Sequence, residues 1–530
     1  MNKFQSELKK KFSEIKPLLV SQGQLAVAEL KPYLQPFEEA LAIDELKALV
    51  GQDLNIDFEF PYASFELNDV SHLEKKLAYW QRVGIQELIP TDQVLRELTQ
   101  NGKEETFNKS SLHKARRLRY GVHNLHEYRG KFFPQLVKSL INKSNLDKNA
   151  KVLDPMCGSG TTLVEAQEAG FDSIGADLNP LSILISNTKC RLIHVEMKEL
   201  QDLTTEVRER LESGCFPKIE LWSDADLKYL SSWFDDLAFE DVEKIITVIY
   251  SFEGIIKDFL LVCLSNIIRA VSYQKESDLR VRKEIKSYDK GYAISLFFEQ
   301  LQDQLDRVIA YKMVSEVPQH ESLIFPCNSI ELPIHAKEHV GTVDLIITSP
   351  PYATALPYLD TDRLSLVVLG LLVRKEHKVY EANMIGTREV TEKQRRDLWD
   401  IYLARQSELP ESINNVIEHV AKYNHSEGVG FRRRNLPALL GKYFLSMLEA
   451  MKSARKMMKP HGKAFYIVGN NSTSLNGEKF EINTPELLFD LAEFAGWRKV
   501  TMSSMELLSS RDMFRANRGT SEIILELENQ

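Results

Sequence analysis

Cysteine is scarce in this chain. There are five in 530 residues (Cys157, Cys190, Cys215, Cys263 and Cys327), an odd number and widely scattered. They form neither a disulfide framework nor a C-x-x-C metal pair, which points to a reducing, cytoplasmic setting. His123 and His126 are closely spaced but lack further ligands, so no metal is expected. Long apolar runs are also missing. The best, Leu364 to Val373, is interrupted by Ser365 and Gly370, which excludes a membrane span there. The first residues, Met1 to Lys11, have no apolar signal core. An excess of positive charge is absent too, since the net charge is −9. A polyanionic partner would therefore need a local basic surface, not a basic average. Basic clusters do occur at Lys114–Arg119, Arg280–Lys283, Arg432–Arg434 and Arg511–Arg518, and each reads equally as a solvated face.

What is present is a globular composition, 43% hydrophobic and 27% charged, in a chain long enough for more than one domain. Residues 1–110 read as a helical N-terminal region: Phe4, Leu8, Phe12 and Ile15, and later Leu73, Leu77, Trp80 and Val83, recur at helical spacing. A short stretch, Ile56 to Tyr62, breaks that pattern. From about residue 120, β-type runs alternate with helical ones, the mark of a mostly parallel α/β sheet. Seven strands are expected, at Lys151–Asp154, Ser173–Asp177, Ser322–Cys327, Val343–Thr348, Ala464–Gly469, Val500–Ser503 and Glu522–Leu527. The α/β core would comprise 111–190, 321–352 and 440–530, interrupted by helical inserts at 191–320 and 353–439.

Two loops carry chemistry. The first follows the strand ending at Asp154 and reads Pro155-Met156-Cys157-Gly158-Ser159-Gly160-Thr161-Thr162 before a helical run. Gly158 and Gly160 remove side chains where a ligand must touch main chain, and free N–H groups at the helix start can meet ligand oxygens. The next strand ends at Asp177, and an acid there can accept hydrogen bonds from two ribose hydroxyls. No Lys follows Gly160, which excludes a Walker loop, and Leu163 stands where a dinucleotide fingerprint needs its third glycine. The second loop, Ser349-Pro350-Pro351-Tyr352, ends the apolar run Val343–Thr348.

Together these stretches resemble the S-adenosylmethionine-dependent DNA amino methyltransferases. The run Asp154–Thr162 is similar to that family's first motif, with Met156 where Phe is usual. His126 to Pro134 resembles the preceding segment, which closes over the methionine end of the cofactor. Pro326-Cys327-Asn328-Ser329 matches the third motif, with Asn328 in the place of an acid that contacts the adenine amino group. Ser349–Tyr352 resembles the catalytic motif. The resemblance spans roughly 120–190, 320–355 and 440–530 and implies a Rossmann-like class I methyltransferase sheet. It implies cofactor contacts from Tyr128, Phe132, Pro134, Asp154, Pro155, Cys157, Gly158, Ser159, Gly160, Thr161, Thr162, Asp177, Asn179 and Asn328.

The residue types of the catalytic run suit that chemistry. An exocyclic amino group is a poor nucleophile because its lone pair is delocalised into the ring. Accepting its N–H groups at the Ser349 oxygen and the Pro350 carbonyl favours the pyramidal form, and the prolines fix those acceptors in advance. Tyr352 offers a ring to stack on a flipped base. In this family a leading Ser goes with N4-cytosine, and a leading Asp or Asn with N6-adenine. The expectation is therefore N4-methylcytosine formation in duplex DNA, in a prokaryotic restriction-modification or phage-defence system, with N6-adenine as the nearest alternative. A tRNA guanine-N2 methyltransferase and a non-catalytic DNA-binding subunit are the further alternatives. Either insert can be the DNA reader. The second holds Gly428 to Arg434, where glycines suit a mobile loop and Arg432, Arg433 and Arg434 suit phosphates or guanine edges. Pro326-Cys327 also suggests a C5-cytosine nucleophile, but the Glu-Asn-Val motif of those enzymes is absent and a buried strand-end cysteine accounts for it.

Overall fold

The computed structural model describes residues 18–19, 25–32, 34–51, 54–100, 117–128, 132–214, 219–275, 282–353, 358–387, 390–424, 430–506 and 521–530. Its N-terminal part departs from the helical expectation. Six strands, β1 (Leu18–Leu19), β2 (Ala26–Leu30), β3 (Ile56–Glu59), β4 (Tyr62–Phe65), β5 (Trp80–Gly84) and β6 (Glu87–Pro90), pair antiparallel in the order β1-β6-β5-β2-β4-β3. Helices Pro36–Val50, Ser71–Lys76 and Asp92–Leu98 accompany them. Leu73, Leu77, Trp80 and Val83 are all buried, so the apolar spacing does mark a core. The helix nevertheless stops at Lys76, and Leu77 turns extended. Trp80 then pairs with Leu30 on β2 and donates its indole N–H to the Ala42 carbonyl at 3.1 Å. A short apolar run fits either period, and cross-strand pairing decided it. The stretch that breaks the helical pattern is the β3–β4 hairpin. The expected helix at Phe4–Ile15 lies outside the described residues.

The second sheet has seven strands: β7 (Lys151–Asp154), β8 (Asp172–Asp177), β9 (Ser322–Pro326), β10 (Val343–Thr348), β11 (Met458–Gly469), β14 (Trp497–Glu506) and β15 (Ser521–Asn529). A hairpin, β12 (Asn471–Leu475) with β13 (Glu478–Ile482), leaves its rim. The sheet order is β14-β15-β11-β10-β7-β8-β9, and β15 alone runs against its neighbours. This is a mostly parallel, Rossmann-like α/β sheet, and its strand order reverses between β7 and β10. At such a switch point the loops leaving adjacent strands diverge and open a crevice beyond their carboxyl ends.

Alternate residues of the central strands feed different cores, as the two-residue period requires. Leu345, Ile347, Phe465 and Ile467 pack with helix Pro134–Ser144 and with the N-terminal sheet. Leu153, Ile346, Ala464, Tyr466 and Val468 pack against the crossover helix Phe431–Met457. The N-terminal sheet is therefore buttressed against one face of the second sheet. A buried ion pair between Arg96 and Glu168 at 2.7 Å and a bond from the Asn142 amide to Glu45 at 3.2 Å join the two.

The first insert forms helices Met197–Glu212, Asp224–Ser231, Asp236–Ile249, Gly254–Ile268 and Tyr292–Lys312. Their apolar faces make one core with helix Pro180–Leu192, in which Phe259 to Leu264 are wholly buried. The second insert forms helices Tyr358–Val368, His377–Asn383, Glu392–Arg405 and Glu411–Asn424. Its expected end at residue 439 falls inside the helix Phe431–Met457, so Arg432–Arg434 lie in that helix's first turn and not in a loop. Among the described residues no helix is long and apolar enough to cross a membrane.

Candidate active site

The loops after β7, β8, β9 and β10 all leave the sheet at the same rim. Because β15 runs the other way, its first residues lie at that rim as well. The pairing of Gly469 with Glu522 fixes the position. One cleft opens there, with about 990 Å³ of free space counted out through its open mouth. Both loops singled out in the sequence line it: Pro155 and Gly158 from the first, Ser349, Pro350, Pro351 and Tyr352 from the second.

The first loop is shaped by its glycines and two acids. Gly158 adopts φ +48, and a Cβ there would fall 3.0 Å from Cε1 of Tyr128, so the bare main chain leaves room for the ring and the cleft. Gly160 adopts φ +75 as the residue preceding helix Thr161–Glu168, where a Cβ would fall 2.8 Å from that of Ser186. The Asp177 carboxylate accepts the N–H groups of Gly158 at 2.9 Å and Asn179 at 2.8 Å. Each oxygen keeps acceptor capacity toward the cleft, which Asp177 lines. Burial pushes its acid up to about 6, against the pull of those N–H donors. Asp154 is likewise raised to about 6 by burial. It accepts the Met156 N–H at 3.1 Å, and the hydroxyls of Thr348 and Thr162 face it.

Several expected cofactor residues are therefore supports behind the cleft and do not line it. Asp154 braces the turn from beneath. Thr162 donates to the Ile347 carbonyl at 3.1 Å and clamps the loop's helix to β10. Cys157 is buried, its N–H bonded to Ala176 at 2.9 Å. Ser159, Gly160 and Thr161 are turned into the fold, and Pro134 is the first residue of its helix, where a missing N–H costs nothing. Asn179 is a helix cap: its oxygen accepts from Leu181 at 3.0 Å and its amide donates to Asp362 at 2.9 Å. Tyr128, Phe132 and Asn328 do line the cleft. The Asn328 amide is engaged with the Asn383 carbonyl at 3.0 Å. Arg432, Arg433 and Arg434 are exposed and outside the cleft.

Tyr352 is held from two sides. Its hydroxyl donates to Glu522 at 2.5 Å. Its ring lies on the main chain of Gly469, where a Cβ would fall 2.8 Å from Cε2. The loop is further fixed by the Asn471 amide, which donates to the Ala353 carbonyl. Opposite, Asn383, Met384 and Ile385 form a wall contributed by the second insert. Lys442 fastens that wall. Its ammonium donates to the carbonyls of Ala382 at 2.6 Å and Met384 at 3.3 Å and to the Thr387 hydroxyl at 3.1 Å. Burial pulls Lys442 down to about 8. Cys327 is buried at the cleft's edge, and burial raises its thiol to about 11, so it is held as an unreactive thiol.

Glu522 and the Asn383–Ile385 wall were not legible in the sequence. Glu522 stands near the start of β15, an interior strand, with nothing local to mark it, and only the antiparallel register puts it opposite Gly469. Leu178 also lines the cleft and stands directly after Asp177, the acid expected to meet ribose hydroxyls, a signal that was available.

The cleft thus combines a bare-backbone cradle, an acid placed for hydroxyl groups, aromatic walls and a proline-fixed loop with a seated ring. These are the features that a methyltransferase of the Rossmann-like class requires of its site. Comparison with known proteins agrees. The family model N6_N4_Mtase, DNA methylase, matches residues 65–187. The type II methyltransferase M.MvaI of Kocuria varians is 24% identical over 428 residues, 77% of this chain and 91% of that protein. M.BsoBI of Geobacillus stearothermophilus, also a type II methyltransferase, is 23% identical over 449 residues, 76% of this chain and 84% of that protein. A tRNA (guanine(10)-N2)-dimethyltransferase of Methanothermobacter thermautotrophicus is 28% identical over 82 residues, 16% of this chain and 24% of that protein. The chain is thus similar to DNA methyltransferases of the N4/N6 amino type, over residues 65–187 to the family model and over about three quarters of its length to the two type II enzymes.

Proposed function

We propose that this enzyme transfers a methyl group from S-adenosylmethionine to the N4 amino group of cytosine in duplex DNA, at a defined sequence, as the modification arm of a restriction-modification or phage-defence system. It would act in the cytoplasm of a prokaryotic cell, on nucleoid DNA. The observation that carries the reading is the meeting of Ser349–Tyr352 with Gly158 and Asp177 in one cleft.

The residues fit such a donor. Asp177 accepts the ribose hydroxyls, the Gly158 main chain leaves space beside them, and Tyr128 and Phe132 supply apolar walls. Asn328 and Pro155 complete the cofactor side. When bound, the cofactor supplies an activated methyl group. The protein's work is positioning: Ser349 and the Pro350 carbonyl accept the amino N–H groups, while the Tyr352 ring stacks on a base taken out of the helix. A carbonyl acceptor at this place also disfavours thymine and guanine, which present oxygen where cytosine and adenine present an amino group. The leading Ser349 is the feature that favours cytosine over adenine.

Mass analysis of nucleosides from DNA treated with the enzyme and donor tests the base. N4-methylcytosine is expected. N6-methyladenine alone would move the assignment to the other amino base, and labelled methyl entering tRNA but not DNA would end the DNA reading.

A further inference from the structure

The two inserts differ in what they give the cleft. Among the described residues none of 191–320 lines it, whereas Asn383, Met384 and Ile385 of 353–439 form one wall. The first insert instead spends its apolar faces on a core shared with helix Pro180–Leu192 and with the second insert's first helix, Tyr358–Val368. The second continues outward from the wall. Gly386 lies against Pro351 and Tyr352, and the Val390 carbonyl accepts the Asn435 amide at 3.0 Å. Asn435 directly follows Arg434. From Ile385 to Val390 the chain reaches at most about 18 Å, or about five base pairs of duplex.

At that point two helices start side by side. Helix Glu392–Arg405 begins after Thr391, whose hydroxyl caps it through Gln394, and helix Phe431–Met457 begins after Gly430. Arg395, Arg396 and Arg434 all act on Glu392, which they hold below its usual carboxylate range. Arg395 is bound to Glu392 at 3.3 Å, while Arg396, Arg432, Arg433 and Arg434 are exposed. Three arginines in the first turn of a helix add to the positive end of its dipole, so this corner presents a strongly positive potential. In a chain of net charge −9, such a concentration is a local exception.

We infer that the second insert, and not the first, carries the DNA-backbone surface, with Arg396, Arg432, Arg433 and Arg434 gripping phosphates within a few base pairs of the flipped base. The inference rests on the DNA reading above and names the face of the protein that meets the duplex. The continuity with the Asn383–Ile385 wall means that phosphate grip and base pocket are parts of one folded unit, clasped by Lys442.

The test compares three full-length proteins binding a duplex of random sequence over a range of salt: wild type, R396Q/R432Q/R433Q/R434Q, and the control R282Q/K283Q/K290Q on the first insert. Each lost phosphate contact lowers the slope of log K against log salt by about 0.9, so the quadruple variant should lose about 3.6 while the control keeps the wild-type slope. Thermal melting of all three proteins is recorded beside the titration, so that a folding defect is told apart from a lost phosphate contact. An unchanged slope in the quadruple variant, or a loss confined to the control, overturns the assignment of the face and leaves the methyltransferase reading standing. Wild type that binds no duplex, or binds only RNA, removes the DNA reading itself and this inference with it.

Discussion

Gly469→Ala tests the seat of Tyr352 without touching a catalytic side chain. The new Cβ would fall 2.8 Å from Cε2 and 3.2 Å from Cζ of Tyr352. Carbon atoms settle at about 3.5–4.0 Å, so the ring must retreat by roughly 0.7–1.2 Å. Tyr352 cannot yield freely, because its hydroxyl is tied to Glu522 at 2.5 Å. A misplacement of about 1 Å in a positioned group costs on the order of a hundredfold in rate. The crowding also costs about 1–3 kcal/mol of stability, within what a folded chain tolerates. Single-turnover transfer of labelled methyl to saturating DNA is the assay, with calorimetric cofactor binding beside it. Transfer should fall about a hundredfold while cofactor affinity stays within about threefold. In a Tyr352→Ala background the same alanine should cost nothing further, because the ring it displaces has gone. A kcat within threefold of wild type would refute the reasoning: either the ring does not depend on the Gly469 shelf, or its position is immaterial to the reaction.

Other consequences can be measured directly. Tyr352→Ala should leave cofactor binding nearly intact and remove most methyl transfer; full turnover would sink the catalytic assignment. Asp177 ionises near pH 6 in the free protein, above its ordinary 3.8, because of burial. Ribose hydroxyls donate to the ionised form, so cofactor affinity should rise about tenfold from pH 5 to pH 7 and then level, and Asp177→Asn should be weak and flat with pH. The stability term has the opposite sign. With a folded value above the unfolded one, the Asp177 contribution is full below about pH 4 and is lost as pH rises through 6. Lys442→Met removes three donors from the cleft wall and should raise KM for DNA and lower kcat, with about 1–3 kcal/mol lost in urea unfolding. Arg96→Met strands Glu168 in the core and should cost about 3–5 kcal/mol; a loss under 1 kcal/mol would mean that the buried pair is not formed.

The sequence determined the second sheet and the two chemical loops. All seven strands were visible there, the central parallel ones because strands buried on both faces read as short apolar runs and the outer ones from β-type residues, while a glycine turn and a double proline are local constraints on the backbone. It also marked Leu73, Leu77, Trp80 and Val83 as core. Only the tertiary structure decided that they belong to a helix end and a strand, since pairing with β2 outweighed a short helical period. The tertiary structure alone sorted Asp154, Thr162 and Asn179 into supports and Asp177 into the cleft, because residues close together in sequence point to different faces of a turn. It also brought Glu522 to Tyr352 and the Asn383–Ile385 wall to Asn328 across the sheet rim. Those contacts follow from strand register and insert packing, both long-range, and no local pattern of residues encodes them.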